Sequence, residues 1–178
     1  MAIRSNMQGL IDHIRGLIGD DDSALTDLVI QGYLDANSQI VGQLALIPTS
    51  EVNSITKAAE YLRWADPDGQ AWEADVILQD SAYSALTPST SDTLNGQWAF
   101  ATSQSMVMAT GRRLDINGAA ADCLLQLMSK YAREFDVTTK NKGLNRSQTY
   151  IALNTQYQLF NGRRMAYAAS LGSANVIT

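Results

Sequence analysis

The chain has 178 residues, 46% of them hydrophobic, a net charge of −5 and a single cysteine. That is enough to bury a real core in what is most simply one domain spanning 1–178; no run of about 18 apolar residues occurs, so no membrane span is expected, and one cysteine excludes an intrachain disulfide. The net value hides a division, because residues 1–100 carry 4 Lys and Arg against 14 Asp and Glu, whereas residues 101–178 carry 9 against 4. A general nucleic-acid binder is dominated by its basic patch, which this balance lacks, and the division allows one copy's acidic part to face another's basic part.

The amino terminus, MAIRSNMQGLIDHIRGLIGDDD, reaches polar residues too soon and too often for a secretory signal, and the product is expected to stay in the cytosol where it is made. Met7, Leu10, Ile11, Ile14, Leu17 and Ile18 recur at three- and four-residue steps and predict a helix over 5–18, ended by Gly19. Asp20, Asp21, Asp22 and Ser23 form a turn, and Thr26 or Ser23 can cap a second helix over 24–40 through Leu25, Leu28, Val29, Tyr33 and Ala36. A hard-cation loop needs spaced oxygen ligands, as in D-x-[DN]-x-[DN]-G, so the three successive aspartates read as a solvated cap and not as a metal site.

Between 42 and 113 the helical spacing gives way to short extended runs broken by turn residues, which predicts a β-rich insertion. QLALIP, SITKAAEYLRWA, AWEADVILQDSAY, GQWAFA and SMVMATGRRLD read as strands, with Asp66-Pro67-Asp68-Gly69 as a turn and Asn95-Gly96 suited to a tight hairpin. Residues 51–64 are also spaced for a helix through Val52, Ile55, Ala59 and Leu62; the strand reading is preferred. All three tryptophans, Trp64, Trp72 and Trp98, fall in this region and suggest a sheet with its own aromatic core.

The longest helical pattern covers 115–135, where Ile116, Ala119, Ala120, Cys123, Leu124, Leu127, Met128, Tyr131 and Phe135 lie on one side and Asp115 can cap the first turn. Cys123 reads as a core thiol within that stripe. After a basic turn at Lys140 to Gly143, a last helix is predicted over 145–164, with Tyr150, Leu153, Tyr157 and Phe160 on one face. Residues 165–178 carry no charge, and a free solvated tail is normally polar, so this segment either frays or docks. The expected fold is therefore α+β and mainly helical: a four-helix bundle-like core with an inserted small β-sheet and an extended C-terminal tail.

Chemistry is sparse in this sequence. His13 is the single histidine and sits in an amphipathic helix, so a packing role is expected, and neither G-x-x-x-x-G-K-[ST] nor G-x-G-x-x-G occurs. Glu73 and Asp75 stand two residues apart on a predicted strand and would share a face as a carboxylate pair, although such carboxylates are commonly only solvated. No catalytic residue, cofactor or metal ligand is assigned, and a non-enzyme is expected.

The strings in their order are more specific than any one of them. A helical start with an acidic turn into a second helix is followed by Trp72-Glu73-x-Asp75, by Thr87-Pro88 with Ser91-Asp92, Gly96, Trp98 and Phe100, and by Thr110-Gly111-Arg112 leading to Asp115. Ala119-Ala120-Ala121-Asp122 and Arg146-Ser147-Gln148 complete the series, and over nearly its whole length the chain resembles tailed-bacteriophage head-tail adaptor (connector) proteins. It departs from them where Ser23-Ala24-Leu25-Thr26 lacks an aromatic before the cap, and in a less basic tail.

The resemblance implies a structural protein of the virion neck, made and assembled in the host cytoplasm. Such a subunit forms a ring, expected to be dodecameric, between the portal protein and a stopper or tail-terminator protein, with genomic DNA passing through the lumen and no membrane partner. It also implies that the C-terminal end reaches the portal, and Arg163, Arg164, Met165, Tyr167, Leu171, Val176 and Ile177 are the candidate residues for binding the portal or a neighbouring subunit. Two rival readings are a DNA-binding regulator, with helices 5–18 and 24–40 as a helix-turn-helix, and a small hydrolase using Glu73 and Asp75. The first is disfavoured because the second helix carries Asp27 and Asp35 and no cation.

Overall fold

The computed structural model describes residues 3–20, 24–53, 55, 57–135 and 143–165. Among the described residues there are four helices, α1 (Gln8–Ile18), α2 (Asp27–Ala36), α3 (Ile116–Phe135) and α4 (Gly143–Gly162). Helix α1 starts three residues later than its periodicity suggests because the chain before it is pinned elsewhere. The Arg4 amide donates to Gln31 Oε1 at 2.9 Å and the Arg4 side chain reaches Asp35 and Glu73. Gly19 closes the helix in the left-handed conformation at φ 65, as its position after the apolar stripe leads one to expect.

Thr26 caps α2, its hydroxyl accepting from the Val29 amide at 3.4 Å. The helix ends at Ala36 and not near residue 40. Asn37 leaves helical geometry, its side-chain amide donates to the Tyr33 carbonyl at 2.9 Å, and the chain enters a strand one residue later. Of the acidic turn, Asp20 is not solvated: it is buried, accepts from the Ala24 and Leu25 amides at 2.7 and 3.1 Å, and pairs with Arg15 at 2.8 Å, while Asp21, Asp22 and Ser23 lie outside the described residues.

Eight strands follow: β1 (Ser38–Ala45), β2 (Ile47–Val52), β3 (Ala59–Ala65), β4 (Ala71–Trp72), β5 (Ile77–Gln79), β6 (Thr90–Asp92), β7 (Gln97–Ala99) and β8 (Met108–Leu114). They form two four-stranded antiparallel sheets, one ordered β1-β8-β4 with β5 also on β8, the other β2-β3-β7-β6. This overturns the expectation of a mainly helical bundle with one small inserted sheet. Helices hold more residues than strands, but the two sheets form a second unit of architecture with a core of their own. The short length of β4 to β7 explains the misreading, since strands of two or three residues leave almost no alternation to read. Strand β6 lies in what the sequence shows only as a turn-rich stretch.

The sheet core gathers Leu46, Trp64, Trp72, Leu78, Trp98, Phe100, Val107 and Ala109. Trp72 and Trp98 meet edge to face, with ring centroids 6.0 Å apart and planes at 77°. The three tryptophans therefore do converge. Their centre is wired by Asp66, whose carboxylate accepts from the Trp72 indole N–H at 2.9 Å and from Arg113 Nη2 at 2.6 Å. Gly96, in the β6–β7 turn at φ 58, has no room for a side chain: a Cβ there would run into the Gln70 carbonyl and the Asp66 side chain.

A second core packs α1, α2 and α4 around α3. It includes Ile11, Ile14, Ile30, Leu34, Leu124, Leu127, Leu153 and Phe160. Strand β8 joins the two cores, because Ala109 belongs to the sheet core while Leu114, at its other end, belongs to the helical one. From Leu114 the chain runs through Asp115 directly into α3.

Candidate assembly surface

The proposed carboxylate pair does not exist as a pair. Strand β4 stops at Trp72, and the chain turns at once, with the Val76 amide donating to the Glu73 carbonyl at 3.2 Å. Glu73 is buried and Asp75 is exposed. The Glu73 carboxylate lies between Arg4 Nε at 2.7 Å and Arg112 Nε at 3.2 Å, while Arg4 also grips Asp35 at 2.6 Å. The Asp35 hydrogen bond raises the Arg4 guanidinium above its ordinary range, against the opposing effect of its burial. A carboxylate clasped by two guanidinium groups is a strut that ties the amino-terminal segment and α2 to the sheet.

Cys123 is fully buried in α3, and burial, followed by the charges of Asp122 and Asp20, pushes its thiol from 9.0 up to about 12. An unfolded thiol ionises near its ordinary value, so this group's contribution to folding is complete below that value and is lost as pH rises toward about 12. Urea melts should show stability falling over this alkaline range, and Cys123→Ala should remove part of the fall. The same burial predicts that a thiol reagent at about pH 8 labels the protein only after unfolding; rapid labelling of the native chain would contradict the placement.

The root of the C-terminal segment is held by the chain itself. Arg164 Nη2 donates to Asp122 Oδ2 at 2.6 Å and to Asn37 Oδ1 at 2.7 Å. The Met165 amide donates to Asp115 Oδ2 at 2.8 Å, and the other Asp115 oxygen caps α3 by accepting from the Gly118 amide at 2.9 Å. Asn37 closes the clasp by donating to Asp122 Oδ2 at 2.7 Å. The end of α2, the start of α3 and the chain leaving α4 thus share one hydrogen-bonded knot.

Of the candidate partner-binding residues, Arg163 is exposed and Met165 is half-buried at this knot. Arg164, another of these candidates, pairs with Asp122 of its own chain. Tyr167, Leu171, Val176 and Ile177 lie outside the described residues. Sequence reasoning missed Asn37, Asp115 in its second role, and Asp122, because the knot links residues 42 to 127 positions apart. Gly118 is the one local signal: a Cβ there would stand 2.6 Å from Asn37 Oδ1 and 2.7 Å from Asp115 Oδ2.

Gly118→Ala is accordingly expected to destabilise the protein by about 1–3 kcal/mol, because overpacking the knot outweighs the roughly 1 kcal/mol that alanine normally gains in a helix. A denaturant midpoint that rises in this variant would show that the knot yields freely.

Exposed large apolar side chains occur on most elements, and scattered single ones need no explanation. Helix α4 turns Leu153, Tyr157 and Phe160 toward the core, yet Tyr150, Ile151 and Leu159 face solvent. Along β1, β2 and the β2–β3 hairpin, Ile40 is 76% exposed, Val52 70% and Ile55 88%. These three and Ile151 are the barest large apolar side chains among the described residues, which marks α4 and the β1 to β2–β3 stretch as candidate contact surfaces. Helix α2 offers nothing comparable to a nucleic acid, since its exposed positions are Leu28, Gly32 and Ala36.

Among the described residues no helix is long and apolar enough to cross a membrane, and no group of three or more His, Cys, Asp or Glu is placed to hold a metal ion. Comparison of the chain with protein-family models, with curated proteins and with solved structures returns no match.

Proposed function

We propose that this protein is a structural head-tail adaptor of a bacteriophage neck, a ring subunit that joins the portal to the stopper or tail and surrounds the DNA exit channel. The observation that carries the reading is that the four barest large apolar side chains among the described residues, Ile55, Ile40, Val52 and Ile151, fall on two separate parts of the chain, the β1 to β2–β3 stretch and α4. A ring subunit needs two different lateral surfaces, because a head-to-tail contact uses a distinct patch on each partner. The ordered series of motifs from Trp72 to Gln148 supplies the family reading to which this surface is added.

The knot at Arg164 and Met165 gives the reading its axial direction. It holds Met165 beside the start of α3, and the uncharged segment 166–178 that follows in sequence is the part proposed to reach the portal. Apolar burial is the large favourable term available to such a composition, and it must offset roughly 1–2 kcal/mol of ordering entropy per residue. The acidic balance of residues 1–100 suits a lumen through which DNA slides, since a surface without cations releases no counterions and does not hold the duplex. A groove-reading regulator is disfavoured by the absence of cations on α2.

Deleting residues 166–178 is expected to leave the subunit folded, with an unchanged circular dichroism spectrum, and to reduce its binding to purified portal rings by at least about tenfold, a loss of roughly 1.4 kcal/mol. Full-strength portal binding by the truncated protein would remove the tail from the proposed interface.

A further inference from the structure

The β2–β3 hairpin ends in a tip that is built to keep its shape. The Asn53 amide donates to the Ala58 carbonyl and the Lys57 amide to the Asn53 carbonyl, both at 2.9 Å. Asn53 Oδ1 accepts from the Ile55 amide at 2.9 Å, and Asn53 Nδ2 donates to Glu60 at 2.6 Å. This frame holds Ile55 outward, and at 88% exposure it is the barest large apolar side chain among the described residues. Val52, 70% exposed, stands at the foot of the same tip. Lys57 is exposed beside it and forms no ion pair among the described residues. A bare isoleucine beside one cation is a poor way to face water and a good way to enter a pocket.

A pocket of matching character lies elsewhere on the chain. Val76, Leu78, Leu86, Pro88 and Trp98 wall a cavity of about 380 Å³ between β5 and the β6–β7 hairpin, within the range of about 300–1,000 Å³ typical of sites that receive organic groups. Asp75, exposed and without an ion pair among the described residues, sits at its edge next to the lining residue Val76. Asp75 lies between the lining residues Ala74 and Val76, and so gives the rim an anionic group where the tip carries a cation.

The tip cannot fill the cavity of its own chain. Trp98, in the cavity wall, pairs with Trp64, while the tip begins beyond Ala59 at the other end of the same strand. Five residues of extended chain, at roughly 3.3 Å each, hold the two roughly 17 Å apart along a paired strand. The occupant that satisfies both the apolar fit and the charge is a second copy of this chain.

We propose that the β2–β3 tip of one copy inserts Ile55 into the Val76–Leu86–Trp98 cavity of the next copy, with Lys57 against Asp75. Tip and cavity are different patches, so the contact is head to tail and repeats from copy to copy. It deepens the adaptor reading by naming the lateral joint of the ring, and it rests on that reading for the closure of the ring.

The test uses the full-length protein, free at high concentration and on portal rings. One variant carries Ile55→Cys and another Leu86→Cys; the native Cys123 is buried and stays silent. Mixed under mild oxidation, the two are expected to give a hetero-dimeric disulfide well in excess of either self-pair. Independently, Lys57→Glu should weaken assembly at least tenfold and Asp75→Lys should restore it in the double variant, both positions being exposed and so harmless to folding. Failure of the mixed cross-link under both conditions overturns the proposal, as does assembly unchanged by Ile55→Asp, and the adaptor reading survives either result. A cross-link that forms in open chains, with no ring on the portal, supports the joint and overturns the ring.

Discussion

Replacing Trp72 with alanine is expected to lower the stability of the folded chain by about 3–5 kcal/mol, the range for removing a large buried aromatic. Trp72 is fully buried, its ring meets Trp98 edge to face, and its indole N–H is one of the donors that satisfy the buried carboxylate of Asp66. Truncation therefore leaves a cavity at the centre of the sheet core and takes one partner from a carboxylate that Arg113 still holds. Trp72→Phe should recover much of the packing but not the hydrogen bond, so its loss should lie between wild type and alanine. A denaturant melt showing a loss below about 1 kcal/mol for Trp72→Ala would mean that the sheets do not depend on this cluster.

Leu124→Ala and Leu127→Ala are each expected to cost about 2–5 kcal/mol, because both side chains are buried on α3, the helix against which α1, α2 and α4 pack. The larger effect should fall on Leu124, which is fully buried, whereas Leu127 retains slight exposure. Trp72 and Leu124 belong to different cores, so their combined cost should be close to the sum of the two. Losses below about 1 kcal/mol at both leucines would remove α3 from its central place.

Much of the helical half is legible in the sequence because apolar side chains at three- and four-residue steps survive any tertiary context. Ile11, Ile14, Leu124 and Leu127 are core residues by spacing and by structure alike. The same rule fails at the end of α2, where Ile40 continues the spacing of Tyr33 and Ala36 yet lies on a strand and faces solvent. What ends the helix is Asn37, and its side chain is fixed by Asp122, which stands 85 residues further on. The convergence of Trp64, Trp72 and Trp98 is likewise readable as a cluster, but its division between two sheets is not, because Trp64 and Trp98 pair on β3 and β7 while Trp72 pairs with Arg113 on β8, 41 positions further on, and local pattern does not reveal such pairings.

The contact surfaces are the least legible part. Nothing in the local pattern distinguishes Ile55, bare at the hairpin tip, from Leu62 in a strand of the same hairpin, since both are apolar residues in a turn-rich region. Exposure is set by which strand pairs with which, and that pairing spans long stretches of chain. Glu73 and Asp75 illustrate the reverse case: two carboxylates that look alike in sequence are separated by one turn into a buried strut and a free surface charge.

The central claim, that the chain is a ring-forming adaptor of the phage neck, is tested most directly by negative-stain imaging of purified portal rings mixed with an excess of the folded protein. The account predicts an added dodecameric layer on one face of the portal, with an open axis wide enough for duplex DNA. Portal rings that remain bare at saturating protein would contradict it.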